Sequence, residues 1–221
     1  MTQELWTAVD NYLVSKMHLA DDSLDEAVRA SEEAGLPSIQ VSAAQGKFLY
    51  LLATVHHAKR ILEIGTLGGY STIWLARALP QDGRLVTMEI DPRHAAVARS
   101  NLERAGLSDK VEVLVGNALE LLPDLEKRNK LPFDLSFIDA DKVSIPAYFE
   151  SALRMSRSGS LILVDNVVRD GAVIDENSQD ASVQGVRRLN DMIEADSRVT
   201  ATVLQTVGVK GYDGLAIALV N

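Results

Sequence analysis

The sequence predicts a doubly wound α/β fold, a mostly parallel sheet with helices on both faces. Three observations carry this. Five short apolar runs, RILEIG (60–65), LVTMEI (85–90), VEVLVG (111–116), LSFIDA (135–140) and SLILVDN (160–166), alternate with segments of helical pattern. The runs are rich in β-branched residues and apolar almost throughout, as strands covered on both faces must be. Two closing runs, VTATVLQT (199–206) and GLAIALV (214–220), have only the KGYDG turn between them, which predicts an antiparallel hairpin.

The remaining elements follow in order. Leu5, Val9, Tyr12, Leu13 and Met17 form an apolar stripe at helical spacing. Ser23 with Glu26 has the capping-box pattern for a second helix, which Gly35 and Pro37 end. Ser42 with Gln45 repeats that pattern ahead of a third helix, GKFLYLLATVHHA. YSTIWLARAL follows the first strand, and a helix from Pro92 to about Ala105 follows the second. A short helix follows the third strand, and one from about Ile145 to Ser156 follows the fourth. The polar stretch RDGAVIDENSQDA (169–181), either a lid or a surface connection, then leads into the helix VQGVRRLNDMIEA.

A chain of 221 residues is long enough for one self-sufficient core, so residues 1–221 are expected to form a single domain. Its first forty residues form a helical segment that packs on the core or on a partner. The absence of cysteine excludes disulfides, thiolate metal ligands and cysteine nucleophiles. There is no signal-peptide pattern and no apolar run of membrane-spanning length, so a soluble, cytoplasmic protein is expected. The net charge of -9 argues against broad binding to nucleic acid or anionic membrane.

Open α/β sheets bind ligands at the carboxyl ends of their strands. Those ends read Glu63-Ile64-Gly65, Glu89, Gly116-Asn117-Ala118, Asp139 to Lys142, and Asp165-Asn166. In EIGTLGGYS (63–71), Gly65, Gly68 and Gly69 allow a tight turn against which a ligand can lie. Glu89 stands where an acid can accept both hydroxyls of an adenosine ribose. The glycine spacing is not the G-x-G-x-x-G that seats a pyrophosphate. Glu63 would repel a diphosphate but could pair with an α-amino group. S-adenosylmethionine therefore fits better than NAD, although an ordinary βα turn with a solvated strand-end acid has the same residues. Asp139, Asp165 and Asn166 end neighbouring strands and offer oxygen ligands suited to a hard cation, Mg²⁺ before Ca²⁺ or Mn²⁺. The competing reading is strand-end acids that cap helices or face water.

ILEIGTLGGYS, VTMEID, VGNAL, FIDADK and VDNV, in this order and spacing, resemble the cation-dependent class I O-methyltransferases, relatives of the catechol and caffeoyl-CoA enzymes. The resemblance runs from about residue 38 to the C-terminus, and FIDADK with VDN is its most specific part. It implies a Rossmann-like seven-stranded sheet in the order 3-2-1-4-5-7-6 with strand 7 antiparallel. It implies metal ligation by Asp139, Asp165 and Asn166. S-adenosylmethionine would be contacted by Val41, Glu63, Gly65, Thr66, Ser71, Glu89, Ala118, Asp139 and Asp141. Lys142 matches the family's general base, with pairing to Asp141 as the bland alternative. The implied acceptor is a small catechol-like phenol, and the implied assembly is a homodimer. Two other readings keep parts of the site: methylation of a hydroxylated uridine in tRNA, which the acidic charge disfavours, and a non-catalytic cofactor-binding protein. Plant caffeoyl-CoA enzymes carry Trp-Asn soon after the metal Asn; Arg169-Asp170 stands there instead, which puts a CoA ester in doubt. The histidines His18, His56, His57 and His94 have no ligand-spaced partners, and Trp6 and Trp74 fit packing roles.

Overall fold

The computed structural model describes residues 2–128 and 131–221. Its helices are α1 (Gln3–Met17), α2 (Asp22–Glu33), α3 (Ala43–Val55), α4 (Tyr70–Ala78), α5 (Pro92–Arg104), α6 (Ala118–Arg128), α7 (Ile145–Arg154) and α8 (Ala181–Ala195). Its strands are β1 (Arg60–Ile64), β2 (Arg84–Glu89), β3 (Val111–Val115), β4 (Phe133–Ile138), β5 (Ser156–Asp165), β6 (Val199–Gly208) and β7 (Gly211–Val220). They form one sheet in the order β3-β2-β1-β4-β5-β7-β6. β1 pairs in parallel with both β2 and β4, and β7 runs antiparallel to β5 and β6. The chain steps outward from β1 to β3 and then returns to the other side of β1. The crevice between the ends of β1 and β4 is the switch point, where a ligand meets no crossing connection.

Strand alternation divides the core. On β1, β4 and β5, Leu62, Ile64, Ile138, Ile162 and Val164 face one side and pack against α6, α7 and α8. Ile61, Leu135, Phe137 and Leu163 face the other and pack against α2, α3, α4 and α5. Burial of each such side chain is worth about 1.5–3 kcal/mol, which fixes the register because a one-residue slip would expose the whole row.

Three boundaries differ from the sequence reading. The cap of α2 is Asp21, whose side chain accepts from the amides of Ser23 and Leu24; Glu26 is engaged by Arg29 instead. Asp is at least as good a cap as Ser, and here it lies two residues earlier. The expected 145–156 helix ends at Arg154, two residues early, because Ser156 already begins β5. The hairpin turn is tighter than KGYDG, since pairing continues to Gly208↔Gly211 and leaves only Val209 and Lys210 between the strands.

α1 has no buried residue, and Leu5, Val9, Tyr12 and Met17 of the apolar stripe are exposed. It is held to the β6–β7 turn by polar contacts: Asp10 Oδ2 accepts from the Val209 amide at 2.7 Å, and Gln3 Nε2 donates to the Gly208 carbonyl at 2.9 Å. Among the described residues no helix is long and apolar enough to cross a membrane.

α8 crosses the end of β4 so closely that a Cβ on Gly185 would lie 1.9 Å from the Lys142 carbonyl oxygen. Ala would ordinarily favour the helix by about 1 kcal/mol, but backbone cannot yield to such an overlap. Gly185→Ala should therefore lower unfolding stability by roughly 1–3 kcal/mol in urea titration. Equal or greater stability would contradict this packing.

Candidate active site

The first wall of the site is the turn from β1 to α4. Gly65 has φ +102°, and a Cβ there would fall 2.1 Å from the Asp139 carbonyl oxygen, so only glycine lets the ends of β1 and β4 meet. Gly69 (φ +84°) opens α4 without a side-chain cap. The loop is pinned from behind by Asn101, whose Nδ2 donates to the Gly68 carbonyl at 2.7 Å.

Beneath this loop Glu63 is fully buried. Three hydroxyls donate to its carboxylate, from Ser71 at 2.7 Å, Thr72 at 2.5 Å and Thr87 at 2.7 Å. Burial nevertheless outweighs these bonds and pushes its pKa up to about 7. Glu89 is held by backbone instead: Oε2 accepts from the Leu67 amide at 2.7 Å and Oε1 from the Asp91 amide at 2.9 Å. The carboxyl group that ends β2 is thus fixed at the cavity wall by backbone amides.

The second wall is the acidic end of β4 and β5. Lys142, itself buried, donates from Nζ to Asp139 Oδ1 at 2.9 Å. Asp141 is not its partner; Oδ2 of that residue accepts from the Tyr148 hydroxyl at 2.5 Å and Oδ1 from the Ser144 amide at 2.9 Å. The alternative Lys142–Asp141 pair is therefore absent. Asp165 is buried at the end of β5, where it accepts from the Asn166 amide at 2.9 Å and from Gln45 Nε2 at 2.6 Å. Burial first, and the Asp139 charge second, hold its pKa well above the usual carboxylate range. Asn166 follows with a left-handed backbone, φ +60°.

A cavity of about 620 Å³ joins the two walls. Of the residues singled out from the sequence, Val41, Gly65, Thr66, Ser71, Glu89, Ala118, Asp139, Asp141, Lys142 and Asn166 all line it. Glu63 does not: it lies behind Ser71 and acts on the wall through that hydroxyl, so the expected direct pairing with an amino group is not built into this geometry. Asp165 faces a second chamber of about 390 Å³, which shares Asn166 with the first and is walled by Gln45, Phe48 and the β6–β7 turn. Among the described residues no group of three or more His, Cys, Asp or Glu side chains is arranged to hold a metal ion; the set here is two carboxylates and an amide.

Three residues of the site escaped the sequence reading. Gln45 makes only half of the expected capping box, since Ser42 accepts from the Gln45 amide while the Gln45 side chain extends to Asp165, 120 residues away. His94 lines the cavity with Nδ1 3.6 Å from Glu89 Oε1, in the first turn after the strand-end acid. Tyr148 donates its hydroxyl from α7 to Asp141, which lies in the loop ahead of that helix, so no helical spacing links the two.

A loop-and-acid nucleotide half joined to an acidic half on this sheet order defines an S-adenosylmethionine-dependent O-methyltransferase. The family model described as O-methyltransferase matches residues 15–219, and the chain belongs to that family. A catechol O-methyltransferase of Niastella koreensis is 54% identical over 221 residues, covering 100% of both chains. The O-methyltransferase from Bacillus cereus in complex with SAH superposes with a TM-score of 0.98 at 54% identity over 100% of both chains. TomG from Streptomyces achromogenes, in complex with SAM, gives 0.97 at 53% identity over 100% of this chain and 99% of that one.

Glu63 provides a test of the buried cluster. Its folded pKa of about 7 lies above its ordinary value of 4.5, so the native state holds the extra proton between those values and stability falls as pH rises through that window. Glu63→Gln keeps the shape and removes the titration. Without ligand, the wild type should lose roughly 3 kcal/mol relative to this variant between pH 4.5 and 7.5. Parallel stability–pH curves would contradict the buried, proton-binding carboxyl.

Proposed function

We propose that this O-methyltransferase methylates one hydroxyl of a small vicinal diphenol, aided by a divalent cation at Asp139, Asp165 and Asn166. The observation that carries the reading is the placement of two carboxylates and an amide at the ends of adjacent strands, beside a buried lysine. The donor set fits a hard ion, since it is all oxygen and Asp165 is destabilised by the Asp139 charge that a cation would offset. Mg²⁺ is favoured, with Ca²⁺ and Mn²⁺ as alternatives.

S-adenosylmethionine supplies the methyl group when bound, and a divalent ion supplies Lewis acidity toward the acceptor hydroxyl. The chain's own residues do the rest. Glu89 presents a fixed carboxylate to the ribose hydroxyls, while Val41, Met88, Ile90 and Ala118 line the cavity with apolar surface. Lys142 stands at the acidic end, where its Nζ, once it has given up a proton, can take the one leaving the acceptor hydroxyl, or as the ammonium can steady the resulting oxyanion. Alignment of acceptor and methyl donor in one cavity accounts for much of the acceleration.

Excess EDTA should stop turnover of catechol and added Mg²⁺ should restore it, while Asp139→Ala should abolish turnover yet still bind SAH in calorimetry. Lys142→Ala should lower kcat by about 100-fold, with partial recovery at higher pH as the acceptor ionises unaided. Full activity in EDTA would remove the metal, and an unchanged kcat would remove the base.

A second copy of the chain is the partner proposed for α1, whose stripe Leu5, Val9, Tyr12 and Met17 is exposed alongside Val203, Leu204, Val207 and Val209 of the β6 edge and turn. Light scattering at micromolar concentration should give the mass of a dimer. A mass near 24.0 kDa, that of one chain, would reject the dimer.

A further inference from the structure

We infer that Arg169 binds an anionic substituent of the acceptor, so that the preferred acceptor is a vicinal diphenol carrying a carboxylate. This rests on the phenolic reading above and adds the chemical class of its side group.

The placement comes first. Arg169 lies three residues beyond Asn166 and lines the same cavity as Asp139, Asp141, Lys142 and Asn166. It therefore borders the end of the cavity where the acceptor must sit, away from Glu89.

The backbone holds it there at some strain. Arg169 and Asp170 have φ +57° and +54°, ahead of Gly171 at +86°. Two consecutive non-glycine residues in the left-handed region persist only where the surroundings over-determine them, and such runs cluster at ligand clamps. Here Asp213 supplies the determination: its Oδ1 accepts from the amides of Val168 at 2.9 Å, Arg169 at 3.0 Å and Gly214 at 2.9 Å. Below Arg169, the Gly171 amide closes the turn on the Val168 carbonyl at 3.1 Å.

The guanidinium is short of an acceptor. Its Nε is buried and has no hydrogen-bond partner among the described residues. Buried donors in native proteins are paired as a rule, so an exception on a cavity wall points to a partner that arrives with a ligand. The acids of this wall are already engaged, Asp139 by Lys142 and Asp141 by Tyr148 and the Ser144 amide, and Asp213 beneath the loop is held by three backbone amides. A planar guanidinium with open donors suits a carboxylate, which it can bind through two parallel bonds. An aromatic ring at this position would offer only an apolar wall. A phosphate monoester shares the anionic chemistry and is distinguished below.

The test compares kcat/KM for 3,4-dihydroxybenzoate, its methyl ester, catechol and a catechol phosphate monoester in the unmodified enzyme and in Arg169→Met and Arg169→Lys. The unmodified enzyme should prefer the acid to the ester. Arg169→Met should reduce that preference by about 10- to 100-fold, the range expected for hydrogen bonds to a charged group, mainly through KM for the acid. Catechol turnover and SAH affinity should stay near the unmodified values, and Arg169→Lys should recover part of the preference. A phosphate monoester preferred over the carboxylate would overturn the carboxylate assignment. An unmodified enzyme that favours the ester would overturn the inference without any variant. So would a ratio that Arg169→Met leaves unmoved, or catechol turnover that falls in parallel with the acid, which marks a structural role. Failure to methylate any phenol would instead overturn the acceptor reading, and this inference with it.

Discussion

The carboxyl edge of the sheet gathers four buried or half-buried carboxylates, Glu63, Glu89, Asp139 and Asp165, and the rest of the site depends on how each is compensated. A buried carboxylate without partners costs several kcal/mol or takes up a proton. Glu63 has three hydroxyls, Glu89 has two backbone amides, Asp139 has the buried Lys142, and Asp165 has Gln45 and its neighbour's amide. The partners of Glu63, Glu89 and Asp165 are neutral hydroxyls and amides, whereas Asp139 is bonded to the charged end of Lys142. Neutral partners do not offset burial at Asp165, whose pKa stays raised by that burial and by the Asp139 charge.

Part of the molecule is legible in composition alone. The strands are apolar runs bounded by polar ends, so RILEIG and LVTMEI announce themselves by composition, and the strand-end rule then picks out Glu89 and Asp139 without further input. The closing hairpin was visible because its two runs leave no room for a crossover helix. The exchange of places by β6 and β7 was not, since local composition is blind to which strand lies at the edge; that order came only with the family resemblance.

What was hidden has a common cause, which is contact between residues distant in the chain. Ser42 and Gln45 carry the spacing of a reciprocal cap, and locally that is the best use of both side chains. The fold offers Gln45 a stronger acceptor in Asp165, and a charged acceptor outweighs a neutral backbone amide donor already near solvent. Glu63 shows the converse. Its place before the glycine turn suggested direct contact with a ligand, but Thr72 and Thr87 lie close enough to fold the carboxylate inward, and Ser71 carries its influence to the surface. Asp21 displaced the expected Ser23 and Glu26 pair for a simpler reason, because it caps two amides at once and also binds Arg77.

The close approaches at the switch point link stability to this chemistry. Gly65 against Asp139 and Gly185 against Lys142 bring backbone to backbone along the segment that joins β4 to α7. A side chain at Gly65 would push the acidic wall away from the nucleotide wall, and one at Gly185 would push that segment away from α8, so its position is set by what these glycines lack. The strained residues Asn166, Arg169 and Asp170 then lie immediately beyond β5, where antiparallel β7 supplies Asp213 to hold them. Because β7 runs antiparallel to β5, its first residues lie at the carboxyl end of β5, which puts Asp213 two residues before the Leu215 that pairs with Asp165. Strand direction thus places the strain, and the strain places Arg169 on the cavity wall.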